Sequence, residues 1–150
     1  MRSRPRRGPV RAIVLHTAEG TAASAVAWFR RPGSTVSAHY VVRASDGVVV
    51  QLVDEDDVAF HDACFNETTI GIEHEGFAGD PGRWYTPALY EASARLVRDI
   101  AARHGLPLDR AHVVGHDEAP DCSEHDDPGP GWDWAGYEHR LRAGEARGGG

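Results

Sequence analysis

The segment Ala12-Ile13-Val14-Leu15-His16 is an apolar, β-branched run that ends in a histidine. A run of this kind predicts a buried central strand. A second apolar run, Val113-Val114, leads into Gly115-His116 and predicts the end of another buried strand. Two histidines at the ends of two core strands, together with a carboxylate from the polar loop that follows, can make an open metal site.

Length and charge limit the classes of protein to consider. The 150 residues suffice for one domain, and the formal net charge of −7 argues against nucleic acid or an anionic membrane as the main partner. No apolar stretch approaches the ~18 residues that a membrane span needs, so we expect a soluble protein.

The two ends of the chain differ in composition from the part between them. We predict a flexible basic arm over residues 1–10, one folded domain over residues 11–142 and a flexible tail over residues 143–150. The tail ends in Gly148-Gly149-Gly150, which is typical of a linker. The arginines of the arm are not followed by an apolar segment, so no secretory signal is visible.

Strand and helix patterns follow one another along the domain. Helices are predicted over residues 22–31, from Pro87 until Gly105, and over residues 134–141. Strands are predicted over residues 11–16, 38–43, 48–53, 68–74 and 111–115. An Asp46-Gly47 turn joins the second and third of them as a hairpin. The chain is therefore predicted to be a single-domain α/β protein, with a central mixed β-sheet flanked by α-helices.

Cys64 and Cys122 are the only cysteines, so the chain has no C-x-x-C motif for a metal or for redox chemistry. A disulfide between them requires an oxidising compartment and a short separation. Because the sequence does not supply that separation, a disulfide and two buried thiols are both compatible with it.

One imidazole from each predicted strand end and one carboxylate would make a catalytic zinc site, in which three protein ligands leave one position for water. His16 and His116 supply the imidazoles. Asp127 is the preferred carboxylate because Pro128 restricts its backbone and Gly129 allows a tight turn. Three other aspartates of the same loop compete with it: Asp117, Asp121 and Asp126. The chain has no H-E-x-x-H motif, which excludes a helix-borne zinc site of that type.

Hydrolysis also needs a base for the attacking water and a group that stabilises the oxyanion. Glu73 and Glu75 share one side-chain parity at the end of the predicted strand 68–74, so either could be the base. His125 lies two residues before Asp127, so the same loop could carry it to the metal. A protonated imidazole there would donate a hydrogen bond to the oxyanion.

Several other side chains could contact a substrate or support the site. His39 and His61 are interpreted as groups of a substrate groove or as supports of the ligands, with a place in the core as the alternative. Trp132 and Trp134 could stack on a substrate, or they could pack in the core and anchor the loop.

The ordered set of these motifs resembles the zinc-dependent N-acetylmuramoyl-L-alanine amidases, within the type-2 amidase and peptidoglycan-recognition-protein superfamily that includes phage endolysins. The resemblance extends over about residues 11 to 136; each motif is weak alone, whereas the ordered set is specific. The matching stretches are Ile13-Val14-Leu15-His16-Thr17-Ala18, Ser37-Ala38-His39-Tyr40-Val41-Val42 with Asp46-Gly47, Val58-Ala59-Phe60-His61, Asn66, Ile70-Gly71-Ile72-Glu73-His74-Glu75-Gly76, Val114-Gly115-His116-Asp117-Glu118 and Asp127-Pro128-Gly129-Pro130-Gly131-Trp132-Asp133-Trp134.

The resemblance implies one zinc ion, a groove for the junction of glycan and peptide, and cleavage of the amide between N-acetylmuramic acid and L-alanine. It places the metal ligands at His16, His116 and Asp127, and the catalytic glutamate at Glu73. His125 occupies a position that is often lysine in the family, and histidine can lose near neutral pH the charge that lysine keeps. Recognition proteins that bind the wall without cutting typically lack the third ligand, which an Asp-Pro-Gly loop supplies here.

The domain over residues 11–142 is then the amidase catalytic domain, with Glu73 and His125 as its catalytic residues. Four residues are predicted to contact substrate: His39, His61, Asn66 and Trp132. Bacterial peptidoglycan is the expected partner, and we expect a monomer that works outside the cell or at the cell wall, as a secreted autolysin or a phage endolysin. The alternatives are a wall-binding module without turnover, a cytosolic amidase of soluble anhydro-muropeptides, and a zinc amidohydrolase of small amides.

Overall fold

The main sheet is built around the central strand that the sequence predicts. The computed structural model describes residues 1–119 and 124–143. Their strands are β1 (Arg4–Pro5), β2 (Ala12–Thr17), β3 (Tyr40–Val42), β4 (Val49–Gln51), β5 (Asp57–Val58), β6 (Thr69–His74) and β7 (Val113–Gly115). Their α-helices are α1 (Ala22–Arg30), α2 (Pro81–Trp84), α3 (Pro87–His104) and α4 (Trp134–Ala143). Within these residues the main sheet has five strands in the order β4-β3-β6-β2-β7.

Strand β2 lies between β6 and β7 and runs parallel to both. In this register His16 lies opposite Glu73, and Leu15 lies opposite Gly115. Strand β3 extends the sheet parallel to β6, and β4 returns antiparallel to β3 through a turn in which Gly47 has a φ of 69°. The prediction of a mixed sheet flanked by helices is confirmed, although β3 and β4 are shorter than the sequence predicts.

The two faces of the sheet differ because side chains alternate along each strand. Ile13 and Leu15 belong to the larger core, which α3 and α4 close. On the other face, Val41 packs with Phe29 of α1 in a smaller core. His16 has the opposite parity to Leu15, so its side chain projects on the α1 face, at the edge where β2 ends.

Helix α3 is bounded by the signals that predicted it. The side chain of Thr86 accepts a hydrogen bond from the Leu89 N–H, and Pro87 occupies the first turn. Gly105 follows the helix in a left-handed conformation with a φ of 67°. Among the described residues, no helix combines the length and the apolar character that crossing a bilayer requires.

Residues 1–10, predicted to be a flexible arm, make defined contacts with the domain. Strand β1 pairs antiparallel with β5. The guanidinium of Arg6 donates hydrogen bonds to the backbone carbonyls of Glu55, Asp57 and Thr69 at 2.9–3.1 Å. These contacts fasten the arm along one side of the domain. Of the predicted tail, residues 144–150 lie outside the described residues.

Cys64 takes part in a disulfide. The chain has only one other cysteine, Cys122, which lies outside the described residues. The disulfide alternative therefore holds for Cys64, and the free-thiol alternative is wrong for it. The bonded sulfur lies in the 3₁₀ helix Ala63–Thr68, directly before β6.

Glu55 ties the segment before β5 to the C-terminus of α3. Its carboxylate accepts hydrogen bonds from Tyr40, Arg103 and His104 at 2.5–3.1 Å. Burial of this carboxylate opposes its ionisation, but the three donors prevail and lower the pKa of Glu55 to about 2. The folded protein therefore binds a proton at this group less readily than the unfolded chain, whose glutamates have a pKa of about 4.3.

We expect Glu55→Gln to lower the free energy of unfolding at pH 7 by about 2 kcal/mol, a value reduced for solvent screening around the half-exposed Arg103. Because the folded pKa lies below the unfolded one, the ionised carboxylate stabilises the fold above about pH 4–5, and this stabilisation is lost as the pH falls toward 2. Urea unfolding of both proteins at pH 7 and at pH 3 measures the effect. An equal loss at both pH values would contradict its electrostatic origin.

Candidate functional site

Polar side chains from three parallel strands meet at one edge of the sheet. Strands β2, β6 and β7 all end there, with His16 opposite Glu73 in the register of β2 and β6. His116 follows β7 directly and begins a short 3₁₀ helix, His116–Glu118. Ligand sites in open α/β sheets lie outside the carboxyl ends of the strands. This edge is therefore the candidate site.

His16, His116 and Asp127 form a buried cluster at this edge. The Nδ1 atoms of His16 and His116 lie 3.0 Å apart. The Oδ1 atom of Asp127 lies 3.0 Å from Nδ1 of His116, and its Oδ2 atom lies 3.6 Å from Nδ1 of His16. The structure thus brings together, from three separate segments, the side chains that the sequence analysis singles out as metal ligands.

Asp127 is placed by hydrogen bonds between its loop and the sheet. The Thr17 N–H donates to Oδ2 of Asp127 at 3.0 Å, and the Asp117 N–H donates to the Asp127 carbonyl at 2.9 Å. The Tyr85 hydroxyl donates to the Pro128 carbonyl at 2.6 Å and lies 2.7 Å from the Thr17 hydroxyl. The last residue of β2 therefore holds the loop through both its backbone and its side chain.

Of the competing aspartates, Asp117 and Asp126 are exposed, and Asp121 lies outside the described residues. Asp127 is the aspartate of this loop, among those described, whose carboxylate joins the two imidazoles. Hydrogen bonds hold both its carbonyl and its carboxylate, whereas Asp126 is exposed to solvent.

The spacing of the donor atoms fits a small divalent cation. Ligand atoms at ~2.0–2.1 Å from a tetrahedral zinc ion lie roughly 3.3–3.4 Å from one another. The two Nδ1 atoms lie 3.0 Å apart, and each lies within 3.6 Å of one oxygen of the Asp127 carboxylate, Oδ1 for His116 and Oδ2 for His16. Two imidazoles and one carboxylate are also a donor set that zinc accepts in catalytic sites.

The charges of the cluster agree with this fit. Burial opposes protonation of His116, but hydrogen bonds to Asp127 and Asp62 prevail and raise the pKa of His116 to about 9. Burial of Asp127 opposes its ionisation, but hydrogen bonds from His116 and His16 hold its pKa well below the usual range. The cluster therefore favours positive charge at its centre.

Two further side chains face the cluster. Glu73 lines the same cavity, and its Oε2 atom is buried without a hydrogen-bond partner among the described residues. Burial raises the pKa of Glu73 above its ordinary value. The ring of His125 stacks on the ring of His116, with 4.0 Å between the centroids, and 54% of its side chain is exposed. The carboxylate of Glu75 is instead bonded to two backbone N–H groups, one at the start of α1 and one after β3.

A cavity of about 550 Å³ opens onto the cluster. His61 and Asn66, two of the predicted substrate contacts, line it. Arg2 of the N-terminal arm is the one arginine or lysine among the described residues of its wall. The Arg2 guanidinium packs on the Phe60 ring, 3.7 Å from its centroid, and donates a hydrogen bond to the Thr35 carbonyl at 2.9 Å. The cavity therefore has a fixed cation on its wall as well as a candidate metal centre.

His39, also predicted to contact substrate, is fully buried and does not line the cavity. The Gly71 N–H donates to Nδ1 of His39 at 3.0 Å, and Nε2 of His39 donates to the Asp57 carbonyl at 3.2 Å. Burial lowers the pKa of His39 to about 4, so the ring is neutral. This position corrects the prediction: the side chain links β3, β5 and β6.

Trp132 likewise lies away from the cavity, with 3% of its surface exposed. Its ring packs against five other rings: His74, Tyr85, Tyr90, Trp134 and Tyr137. The prediction that Trp132 contacts substrate is therefore corrected in favour of its alternative, an anchor for the loop that carries Asp127.

Asp62 adjoins the cluster, although the sequence analysis does not single it out. Its Oδ1 atom lies 3.4 Å from Nε2 of His116, and its side chain has no exposed surface. In the sequence this residue follows closely on the acidic run 54–57, so it resembles one more solvated carboxylate. The available signal is its place directly after His61, the last residue of a stretch that carries the resemblance.

Known proteins resemble this chain in sequence over most of its length. A family model described as N-acetylmuramoyl-L-alanine amidase matches residues 6–130. N-acetylmuramoyl-L-alanine amidase A of Achromobacter lyticus is 38% identical over 149 residues, which cover 89% of this chain and 84% of that protein. The 1,6-anhydro-N-acetylmuramyl-L-alanine amidase AmpD of Citrobacter freundii is 35% identical over 112 residues, which cover 68% of this chain and 55% of that protein.

A solved structure resembles the fold as a whole. The amidase AmiD from E. coli, in complex with anhydro-N-acetylmuramic acid-L-Ala-D-γ-Glu-L-Lys, aligns with a TM-score of 0.72 and 29% identity. The alignment covers 87% of this chain and 57% of the AmiD chain. The chain thus spans little more than half the length of AmiD and of the Citrobacter protein, and most of the length of the Achromobacter protein.

We expect Tyr85→Phe to lower the free energy of unfolding by about 1–3 kcal/mol, because the buried Pro128 carbonyl and Thr17 hydroxyl lose their partner. Hydrogen exchange of the Thr17 and Asp117 amides should become faster, since both amides donate to Asp127. The matched control is Tyr90→Phe. This change removes the hydroxyl of a neighbouring tyrosine, which accepts a hydrogen bond from the Asp133 N–H. Unchanged exchange in Tyr85→Phe would contradict its role in holding the loop.

Proposed function

Because the chain belongs to the N-acetylmuramoyl-L-alanine amidase family, we propose that one zinc ion, bound by His16, His116 and Asp127, serves its hydrolysis of the amide between N-acetylmuramic acid and L-alanine. The chain is an enzyme, a hydrolase that acts on peptidoglycan or on the muropeptides derived from it. The observation that carries the metal proposal is the convergence of two imidazole nitrogens and one carboxylate, with contacts of 3.0–3.6 Å between them.

A zinc ion in this place would polarise the scissile carbonyl and lower the pKa of a water molecule toward ~7. The protein has to present neutral imidazoles and an ionised carboxylate, since only these forms bind zinc. The N–H of Thr17 supports the ionised form of Asp127 by donating to its Oδ2 atom.

Glu73 is the proposed general base. It takes a proton from the attacking water as the water oxygen bonds to the carbonyl carbon, and it passes that proton to the alanine nitrogen as the C–N bond breaks. Burial raises the pKa of Glu73, which makes its carboxylate a stronger base than an exposed one. The products are a lactyl carboxylate and a peptide with a free L-alanine amine.

His125 is proposed to donate a hydrogen bond to the oxyanion that forms on the carbonyl oxygen. Its ring lies nearly parallel to that of His116, at an interplanar angle of 17°, and it lines the cavity. More than half of its side chain is exposed, so a substrate in the cavity can reach it. The same loop carries His125 and Asp127, so anchoring of the carboxylate also places this imidazole.

The substrate is proposed to be wall peptidoglycan. The enzyme would then act as a monomer outside the cell or at the cell wall, either as a secreted autolysin or as a phage endolysin. The Achromobacter relative, which the chain matches over most of its length, is named for the N-acetylmuramoyl-L-alanine bond and not for its anhydro form, which agrees with a wall substrate. A soluble anhydro-muropeptide is the second candidate, and the name of the Citrobacter relative and the AmiD complex favour it. Mass spectrometry of products from intact sacculi and from soluble anhydro-muropeptides separates the two. A wall-binding module would release no new L-alanine amine from either.

Glu73→Gln keeps the shape of the side chain and removes the base. We expect kcat to fall by ~10²- to 10⁴-fold, while the zinc content stays unchanged because Glu73 is outside the cluster of donor atoms. Release of L-alanine amines from purified sacculi measures turnover, and elemental analysis measures zinc. Glu91→Gln, on the exposed surface of α3, is the matched control with wild-type turnover. Wild-type turnover in Glu73→Gln as well would remove Glu73 from its role.

Arg2→Ala tests the cation of the cavity wall. A γ-linked glutamate, such as that in the AmiD complex, leaves its α-carboxylate free near the scissile bond, and Arg2 could pair with it. We expect KM for muropeptides to rise about tenfold with little change in kcat, because this contact forms before the chemical step. Arg7→Ala, the same charge change in the same arm but outside the cavity wall, is the control. Equal changes in the two variants would mean that only net charge matters.

A further inference from the structure

We infer that His61 and Asp62 are positioning residues, which hold the imidazole rings of His16 and His116 so that both direct an unprotonated Nδ1 atom at the metal. The inference rests on the proposed zinc site, and it concerns the side of each ring that faces away from the cluster. Histidine ligands of metals usually donate their other N–H to a fixed acceptor, which sets the tautomer and the orientation of the ring.

The ring of His16 is held by a chain of hydrogen bonds whose direction is fixed at its far end. The Phe65 carbonyl can only accept, so the Thr69 hydroxyl donates to it at 2.8 Å. The Thr69 oxygen then accepts from Nε2 of His61 at 3.3 Å. This leaves Nδ1 of His61 as an acceptor for Nε2 of His16, at 2.9 Å. His16 therefore carries its proton on Nε2 and presents the lone pair of Nδ1 to the cluster.

The ring of His116 is held by a carboxylate. Its Nε2 atom lies 3.4 Å from Oδ1 of Asp62, whose side chain has no exposed surface. An ionised carboxylate can only accept, so this contact keeps a proton on Nε2 of His116 and turns Nδ1 toward His16 and Asp127. A buried carboxylate behind a metal-bound imidazole also raises the basicity of that ligand.

The segment that carries both positioning residues is itself fixed. The side-chain oxygen of Asn66 accepts hydrogen bonds from the backbone N–H groups of His61 and Asp62, at 2.8 and 2.7 Å. A Cβ atom on Gly71 would lie 2.4 Å from Cγ of the His61 ring, so the ring can lie against β6 only because residue 71 is glycine. Asn66 and Gly71 thus serve the same arrangement from two sides.

Contact with substrate is the rival role for His61, because this residue lines the cavity. Both of its ring nitrogens are already engaged, one by His16 and the other by Thr69. An imidazole with both nitrogens bonded inside the protein suits the support of a ligand better than recognition of a substrate.

Zinc affinity, measured in the full chain by competition with a chelator, tests the inference. Asp62→Ala and His61→Ala are expected to weaken zinc binding by about 10- to 100-fold. Thr69→Val should weaken it by a smaller factor, because it removes an acceptor of the hydrogen-bond chain and leaves both imidazoles in place. Asp56→Ala, at an exposed aspartate away from the cavity, is the matched control and should bind zinc as the wild type does.

The outcomes separate this inference from the proposed function. Failure of the wild type to bind one zinc ion, or full binding by Asp127→Ala, would refute the zinc site itself. Wild-type zinc affinity in both Asp62→Ala and Thr69→Val would overturn this inference but not the zinc site. Reduced turnover of His61→Ala with unchanged zinc affinity would overturn it as well. Unfolding without zinc shows whether each variant folds. If Asp62→Ala does not fold, Asp62→Asn replaces it, and unchanged affinity in that variant and in Thr69→Val overturns the inference.

Discussion

The parallel pairing of β2 with both β6 and β7 is the constraint on which the rest of the site depends. Its register sets His16 opposite Glu73 and ends β7 beside Leu15. The imidazoles of His16 and His116 and the carboxylate of Glu73 therefore lie at the same edge of the sheet. Backbone hydrogen bonds fix these positions more tightly than loops could, and a catalytic site tolerates errors of only ~0.5 Å. A slip of β2 by one residue would turn His16 into the α3 core and Leu15 into the cavity.

Asp127, the third side chain of the cluster, comes from a loop, so its position needs a separate cause. Thr17 fixes the position of Asp127. Its N–H donates to the Asp127 carboxylate, and its hydroxyl contacts the Tyr85 hydroxyl on the other face of the sheet. The packing of the larger core is thereby connected to the geometry of the cluster. The carboxylate of Asp127 also makes ionisation of nearby Glu73 harder. A cation held between Asp127 and the two imidazoles would offset this repulsion and leave Glu73 free to act as a base.

The sequence predicts those features that depend on neighbours along the chain. Apolar runs that end in His16 and His116 indicate the strand ends, and an Asp-Pro-Gly loop distinguishes Asp127 from its neighbours. The positions of His39 and Trp132 depend instead on which distant segments cover them, and no local pattern carries that information. Asp62 is hidden for the same reason: it follows an acidic run in the sequence, yet its carboxylate is fully buried behind His116.

The N-terminal arm shows how local charge can differ in sign from the charge of the whole chain. A net charge of −7 disfavours the approach of a peptide that carries carboxylates. Charges more than ~8 Å apart are largely screened at physiological ionic strength, so the groups on the cavity wall matter most to a bound substrate. Within the arm, Arg4 pairs with Glu67 and Arg6 is occupied by backbone carbonyls, whereas Arg2 lies on the cavity wall. The pairing of β1 with β5 therefore turns a basic segment, which in sequence resembles a mobile appendage, into one wall of the cavity.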